Sequence, residues 1–192
     1  MLSGGGARLV VETEGVRFES LHLPQGSLVN GGSLTMAKCT STGQDIYVEE
    51  GVSSVMEDSR VFGGEDSLGG GGNGVHCQGN MKATRCIIEE NKGDGVCIQG
   101  QEASAELVDC VIRTNESNGL VAVREAKVAL RGGTVSGNKR DGAIASGNGE
   151  ITVSKEKPTI SAGNQRQDWV VETRGVLEGV AEEKITCGPA PF

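Results

Sequence analysis

Three stretches decide the fold: RCIIEENKGDGVCI (85–98), DCVIRTNESNGLVA (109–122) and GGTVSGNKRDGAIA (132–145). Aligned on one another, they share apolar or small residues at alternate places, an Asn in the middle and a Gly before the last alternating pair. Period-two alternation puts alternate side chains on opposite faces, which is the signature of strands. Working outward, the same apolar octet, h-x-h-x-x-h-x-h, recurs along the chain. It fits Val16/Phe18/Leu21/Leu23, Leu34/Met36/Cys39/Ser41, Met81/Ala83/Cys86/Ile88, Ala105/Leu107/Cys110/Ile112 and Val128/Leu130/Gly133/Val135. Ser54/Met56/Ser59/Val61 fits more loosely, and Ile151/Val153/Pro158/Ile160 fits with two extra residues. A separate pair precedes each octet: Leu9/Val11, Leu28/Asn30, Ile46/Val48, Val75/Cys77, Val96/Ile98, Leu120/Ala122 and Ala143/Ala145, with Trp169/Val171 last. Repeats of about twenty to twenty-five residues mean a solenoid.

Each coil therefore carries three short strands: the lone pair, then the two halves of the octet, separated by a sharp corner. A longer loop returns the chain to the next coil. Asn91, Asn115 and Asn138 hold one place in that loop, where Asn tolerates a left-handed backbone and can bond along the stack; Asn164 reads one residue out of phase. Gly95, Gly119 and Gly142 restart the next strand. The one long excursion, Phe62–Gly74, includes four consecutive glycines and lacks the Gly-Lys-Ser/Thr of a phosphate loop. The expected organisation is an N-terminal tail (1–8), an all-β, three-stranded-per-coil parallel solenoid of about eight coils (9–171) and a C-terminal cap and tail (172–192). Within that cap, Gly175–Cys187 is read as a last irregular rung or a short helix.

Composition agrees. The chain has 192 residues, 36% hydrophobic but 3% aromatic, with 31 glycines. Thin layers of Val, Ile, Leu, Ala and Cys suit a narrow cylinder. A net charge of −8 with scattered Lys and Arg argues against nucleic acid as partner. No stretch approaches the roughly twenty apolar residues of a membrane helix, and no signal peptide is visible in Met1–Gly6. Cys39, Cys86 and Cys110 share the third apolar place of the octet, so they are expected as reduced, buried thiols, which points to a reducing environment. The sequence calls for no metal and no cofactor.

Cys86–Val153 resembles the right-handed parallel β-helix of pectin-lyase-like proteins and of the carbohydrate-binding and sugar-hydrolase repeat domains. The resemblance extends over roughly Leu9–Val171. It implies the fold, with members ranging from polysaccharide lyases, hydrolases and epimerases to non-catalytic substrate-reading regions. Enzymes of that fold place their chemistry on outward residues of one sheet. Here the outward residues read Arg17, Thr35, Val55, Lys82, Glu106, Ala129 and Thr152 on the second strand. On the third they read His22, Thr40, Arg60, Ile87, Val111, Thr134 and Thr159. Lys82 and Glu106 make a surface pair and no second carboxylate joins them, so no catalytic residue is assigned; hydrolysis of a sugar would need two.

The outward column of the first strand differs: Val10, Val29, Tyr47, His76, Cys97, Val121, Ile144 and Val170. It is mostly apolar on a face that should meet water, which marks a contact surface for other subunits or another copy. Open strand edges at the solenoid ends point the same way. The expected function is a non-catalytic structural or protein-interaction subunit. The alternative is a carbohydrate-binding or polysaccharide-active domain.

Overall fold

A computed structural model describes residues 9–65 and 71–187. The chain winds as a parallel β-solenoid with three faces. The first sheet has nine strands, the second eight and the third seven. Every pairing is parallel, and each strand pairs with the equivalent strand one coil away. The fifth rung shows the plan: Val96–Gln99 on the first sheet, Ser104–Val108 on the second and Val111–Arg113 on the third.

Inward side chains stack in columns. Leu34, Met36, Met56, Met81, Leu107, Leu130 and Ile151 fill the second sheet's inner face, and Val61, Ile88, Ile112 and Val135 the third's. Small residues such as Ala105, Ala122 and Ala145 sit among them, so the thin layers of the middle rungs close without rings, while Phe18 and Trp169 enter the core near the two ends.

The corner between second and third sheets is built from a left-handed residue. Ser20, Lys38, Asp58, Arg85 and Asp109 all have φ between 47° and 55°. Each donates its backbone N–H to the next rung, as Asp58 does to the Thr84 carbonyl at 3.0 Å. The next residue then turns its side chain back. The thiols of Cys39, Cys86 and Cys110 donate to the carbonyls two residues earlier at 3.3, 3.4 and 3.6 Å, and the Ser59 hydroxyl does the same at 2.7 Å. Third-place cysteines are therefore buried filler and also cap a corner carbonyl. Cys39, Cys77, Cys86, Cys97 and Cys110 are all free and buried.

The return loops are held by a buried carboxamide ladder. Asn91 Nδ2 donates to Asn115 Oδ1 at 2.9 Å, Asn115 Nδ2 to Asn138 Oδ1 at 2.9 Å, and Asn138 Nδ2 to Asn164 Oδ1 at 2.8 Å. Asn164 Nδ2 ends the run on Asp168 Oδ1 at 2.8 Å. Glycine is required beside it: a Cβ on Gly95 would stand 2.6 Å from Asn115 Nδ2 and 2.7 Å from the Gly119 carbonyl.

Three expectations are corrected. Val29 points into the core, in register with Val11 and Val48, and Leu28 takes its outward place. Gly26 sets that phase: it stands immediately before the first inward residue, as Gly95 and Gly119 do in their rungs. On the third sheet Thr159 is buried and Ile160 points out. Thr159 holds the corner place and donates its hydroxyl to the Gly132 carbonyl at 2.7 Å. The same one-residue slip made Asn164 look out of phase. Counted from the inward Ser161, it lies where Asn138 lies from Val135. The irregular rung read in Gly175–Cys187 forms: Val176–Glu178 joins the second sheet, Glu182–Lys184 makes a 3-10 turn and Ile185–Cys187 joins the first sheet. The proposed tails at 1–8 and 188–192 lie outside the described residues, as does Gly69-Gly70 of the glycine run.

Candidate functional site

The backbone register aligns Val10, Leu28, Tyr47, His76, Cys97, Val121, Ile144, Val170 and Thr186 in one column on the outer face of the first sheet. Seven of the eight residues expected there are present, with Val29 replaced by Leu28. The column faces outward, yet its C-terminal half is covered. Cys97, Val121, Ile144 and Val170 are only 4–9% exposed. With rungs about 4.8 Å apart, each side chain is flanked by one above and one below. Val10, on the first rung, has a neighbour on one side and is about half exposed. Little apolar area is left on this face for a partner to remove from water.

His76 is the column's singular residue. Its ring meets Tyr47 edge-on, centroids 4.9 Å apart. Neither ring nitrogen has a hydrogen-bond partner among the described residues. Burial lowers its pKa, and the Asp45 and Asp94 carboxylates oppose that shift. Its rung neighbour Cys97 is pushed up to about 12, by burial first and by Asp94 next. A thiol held that high is a poor nucleophile at neutral pH.

A second ladder borders the same sheet. Asn73 Oδ1 accepts the Asp94 N–H at 2.9 Å, Asp94 Oδ1 accepts from Asn118 N and Nδ2 at 2.9 Å each, and Asp141 Oδ1 accepts the Gln167 N–H at 3.1 Å. These carboxylates shape loops.

On the second sheet, Lys82 and Glu106 are rung neighbours as expected, 2.8 Å apart, and Arg131 approaches the other Glu106 oxygen at 3.7 Å. The Lys82 hydrogen bond leads in holding the Glu106 carboxyl below its ordinary range. A hollow of about 540 Å³ lies on this face, lined by Asn80, Lys82, Glu106, Lys127 and Glu150 among others. Glu150 thus shares the hollow with Glu106, which the sequence reading missed. Between two cations, Glu106 is an ionised clamp and is poorly suited to donating a proton.

The third sheet carries an outward cluster that the sequence reading also missed. Glu89 is nearly buried and accepts from Arg60 Nε at 2.6 Å and from Arg113 Nε at 2.6 Å. Arg60 also lies over the Phe62 ring at 4.2 Å. Burial would raise the Glu89 pKa, but the two guanidinium groups outweigh it and hold the carboxyl down. Glu89, Phe62 and Arg113 share a register column, so the signal was present two residues along from the outward column of Arg60, Ile87 and Val111. His22 heads the third sheet beside Thr40, far along the solenoid from His76. Among the described residues no group of three His, Cys, Asp or Glu side chains is arranged to hold a metal ion, and no helix is long and apolar enough to cross a membrane.

Apolar exposure is concentrated elsewhere. The exposed large apolar side chains among the described residues are Val10, Leu21, Ile160 and Val176. Val10 and Leu21 belong to the first rung; Ile160 and Val176 belong to the last rungs of their sheets. The first rung's inner residues Leu9, Val16, Phe18 and Leu23 are also only partly buried, whereas Leu34 and Met36 one rung later are sealed.

A search of protein families matches residues 6–157 to the family described as the right handed beta helix region. No curated protein matches, and no solved structure matches.

Proposed function

The chain belongs to the right-handed β-helix family, and we propose that it uses this scaffold as a rigid protein-interaction subunit that docks through its terminal rungs. One observation carries the reading: the exposed large apolar side chains of the described residues sit at the two ends. The covered column on the first sheet contributes specificity at its Val10 end and little energy elsewhere. At each end the sheets finish on parallel strands that pair on one side only among the described residues, and such edges offer backbone groups that a partner can satisfy.

The test is the mass of the assembled protein in solution, measured for wild type and for Leu21→Lys combined with Ile160→Lys. Both side chains already meet water, so the variant keeps its circular dichroism spectrum and loses its assembly. If Val121→Lys abolishes assembly while the end substitutions leave it intact, the column is the interface and the end-docking reading fails. A carbohydrate-binding reading keeps one observation in its favour, the hollow that Lys82, Glu106 and Glu150 help to line. Saturable binding of uronate polymers with calcium, lost in Lys82→Ala, would favour it.

A further inference from the structure

The third sheet stops short of the other two. Its last strand, Ile160–Ala162, is the edge of its sheet, while the first sheet goes on to Trp169–Val171 and Ile185–Cys187 and the second to Val176–Glu178. Among the described residues no strand pairs with the far side of Ile160–Ala162. Beside that edge lies a cavity of about 200 Å³, several times the ~30 Å³ that a water molecule takes in the liquid. Val153, Pro158, Trp169 and Val180 give it apolar walls, and among the described residues Lys184 is the one charged side chain lining it. Lys184 forms no ion pair among the described residues. Ile160, on the outward side of the same strand, is 61% exposed.

We propose that this is a strand-addition site. An extended segment of a partner protein adds to the third sheet as the missing strand of the eighth rung, with one apolar side chain in the cavity and a carboxylate beside Lys184. Backbone pairing supplies affinity in this mode of recognition, and pockets for alternate side chains supply specificity. Ile160 then meets an outward side chain of the added strand, a cross-strand contact of the kind that stabilises sheets. The proposal rests on the end-docking reading and names what docks at the C-terminal end.

A second copy of this chain fits less well. Among the described residues the first rung begins all three sheets together, at Leu9–Val11, Val16–Glu19 and His22–Leu23. At the other end the first sheet projects two strands past Ile160–Ala162 and the second sheet one. At about 4.8 Å per strand, a flush end cannot reach three edges so offset.

The chain has one tryptophan, and it lines the cavity, so its emission reports occupancy. The probes are two synthetic pentapeptides of alternating valine and threonine with one central aspartate. They are identical except that the second is N-methylated at the alternate nitrogens that would donate to the edge. The first peptide should shift Trp169 emission saturably, and the methylated one should bind about tenfold more weakly, since it forfeits about two backbone bonds, each worth a few-fold. Lys184→Glu should weaken the first peptide about two- to fivefold, the range of an exposed ion pair. It should also reverse the preference toward a peptide with lysine at the centre, which shows that the variant is folded. Equal binding of both peptides, no saturable shift, or no charge preference in either protein overturns the proposal. Binding that appears only after removal of residues 188–192 also overturns it, because the occupant is then the chain's own tail. If the peptides fail while Ile160→Lys still abolishes assembly, strand addition is wrong and end docking stands; if both fail, both fall.

Discussion

Replacing Asn115 by alanine tests what holds the rungs in register. Asn115 is fully buried. Its Oδ1 accepts from the Asn91 backbone N–H at 3.2 Å and from Asn91 Nδ2 at 2.9 Å. Its Nδ2 donates to Asn138 Oδ1 at 2.9 Å and reaches the Ile88 carbonyl at 3.4 Å. Alanine leaves two donors on Asn91 buried without an acceptor. Asn138 Oδ1 keeps the Asn115 backbone N–H at 3.1 Å, so that side loses less. An unsatisfied buried donor costs about 1–3 kcal/mol, giving about 2–6 kcal/mol for the pair. That is a large share of the ~5–15 kcal/mol that stabilises a typical domain. Urea unfolding followed by circular dichroism should show the midpoint falling by about 1–3 M, given a slope of about 2 kcal/mol/M. Asn115→Asp should cost as much at neutral pH, because a carboxylate oxygen replaces the amide that now meets two acceptors. Glu116→Ala is the control, since Glu116 is exposed and makes only a surface pair with Lys139 at 3.0 Å. A midpoint shift for Asn115→Ala no larger than for Glu116→Ala refutes the ladder as a stabilising element.

Two further predictions concern titration and thiols. The His76 pKa is lowered by burial, so the unfolded chain binds the proton more readily. Its contribution is therefore intact above about 6.5, the unperturbed value, and stability falls as pH drops below that. The urea midpoint should decline between pH 7 and 5, and His76→Phe should flatten the decline; an unchanged slope removes His76 as its source. Five cysteines are buried and free, with burial pushing Cys77 up to about 11. A thiol reagent should label the folded protein slowly, and the chain denatured without reductant should show six free thiols; four or fewer would contradict the reduced-core reading.

The solenoid was legible because its pattern is redundant. Any one octet is ambiguous, but the same alternation at Cys86, Cys110 and Gly133 admits one stacking. Errors arose where redundancy ran out. In the second rung, Leu28 and Val29 are adjacent apolar residues, and alternation cannot choose between them; Gly26 could have. In the seventh, three added residues between Val153 and Thr159, where the reading allowed two, hid the corner. That displaced both Ile160 and Asn164 by one place. Direction was easier to read than exposure. The column from Val10 to Val170 was recognised as outward, yet its accessibility depends on the rungs above and below, which no single rung encodes. The Glu89 pair with Arg60 and Arg113 joins residues 29 and 24 apart in sequence, which meet only after the coil length is known.

The titratable groups of the described faces bear on how this scaffold works. A general acid or base functions best with a pKa near the working pH. Glu106 and Glu89 are held low by cations, and Asp58 is held low by Arg85, whose two nitrogens bind it at 2.6 and 2.9 Å. Cys77 and Cys97 are driven high by burial, and His76 is driven low by it. Each of these shifts stabilises the charge state the group already has at neutral pH, so the side chains serve the solenoid as fixed charges, caps and filler. Apolar surface shows the complementary pattern. It is sealed along the middle rungs, where each residue has two stacked neighbours, and open at Val10, Leu21, Ile160 and Val176, where the stack ends. On the proposed reading a partner continues the rod at these rungs, and the edge at Ile160–Ala162, which no strand pairs among the described residues on its far side, is where that continuation would have a backbone to follow.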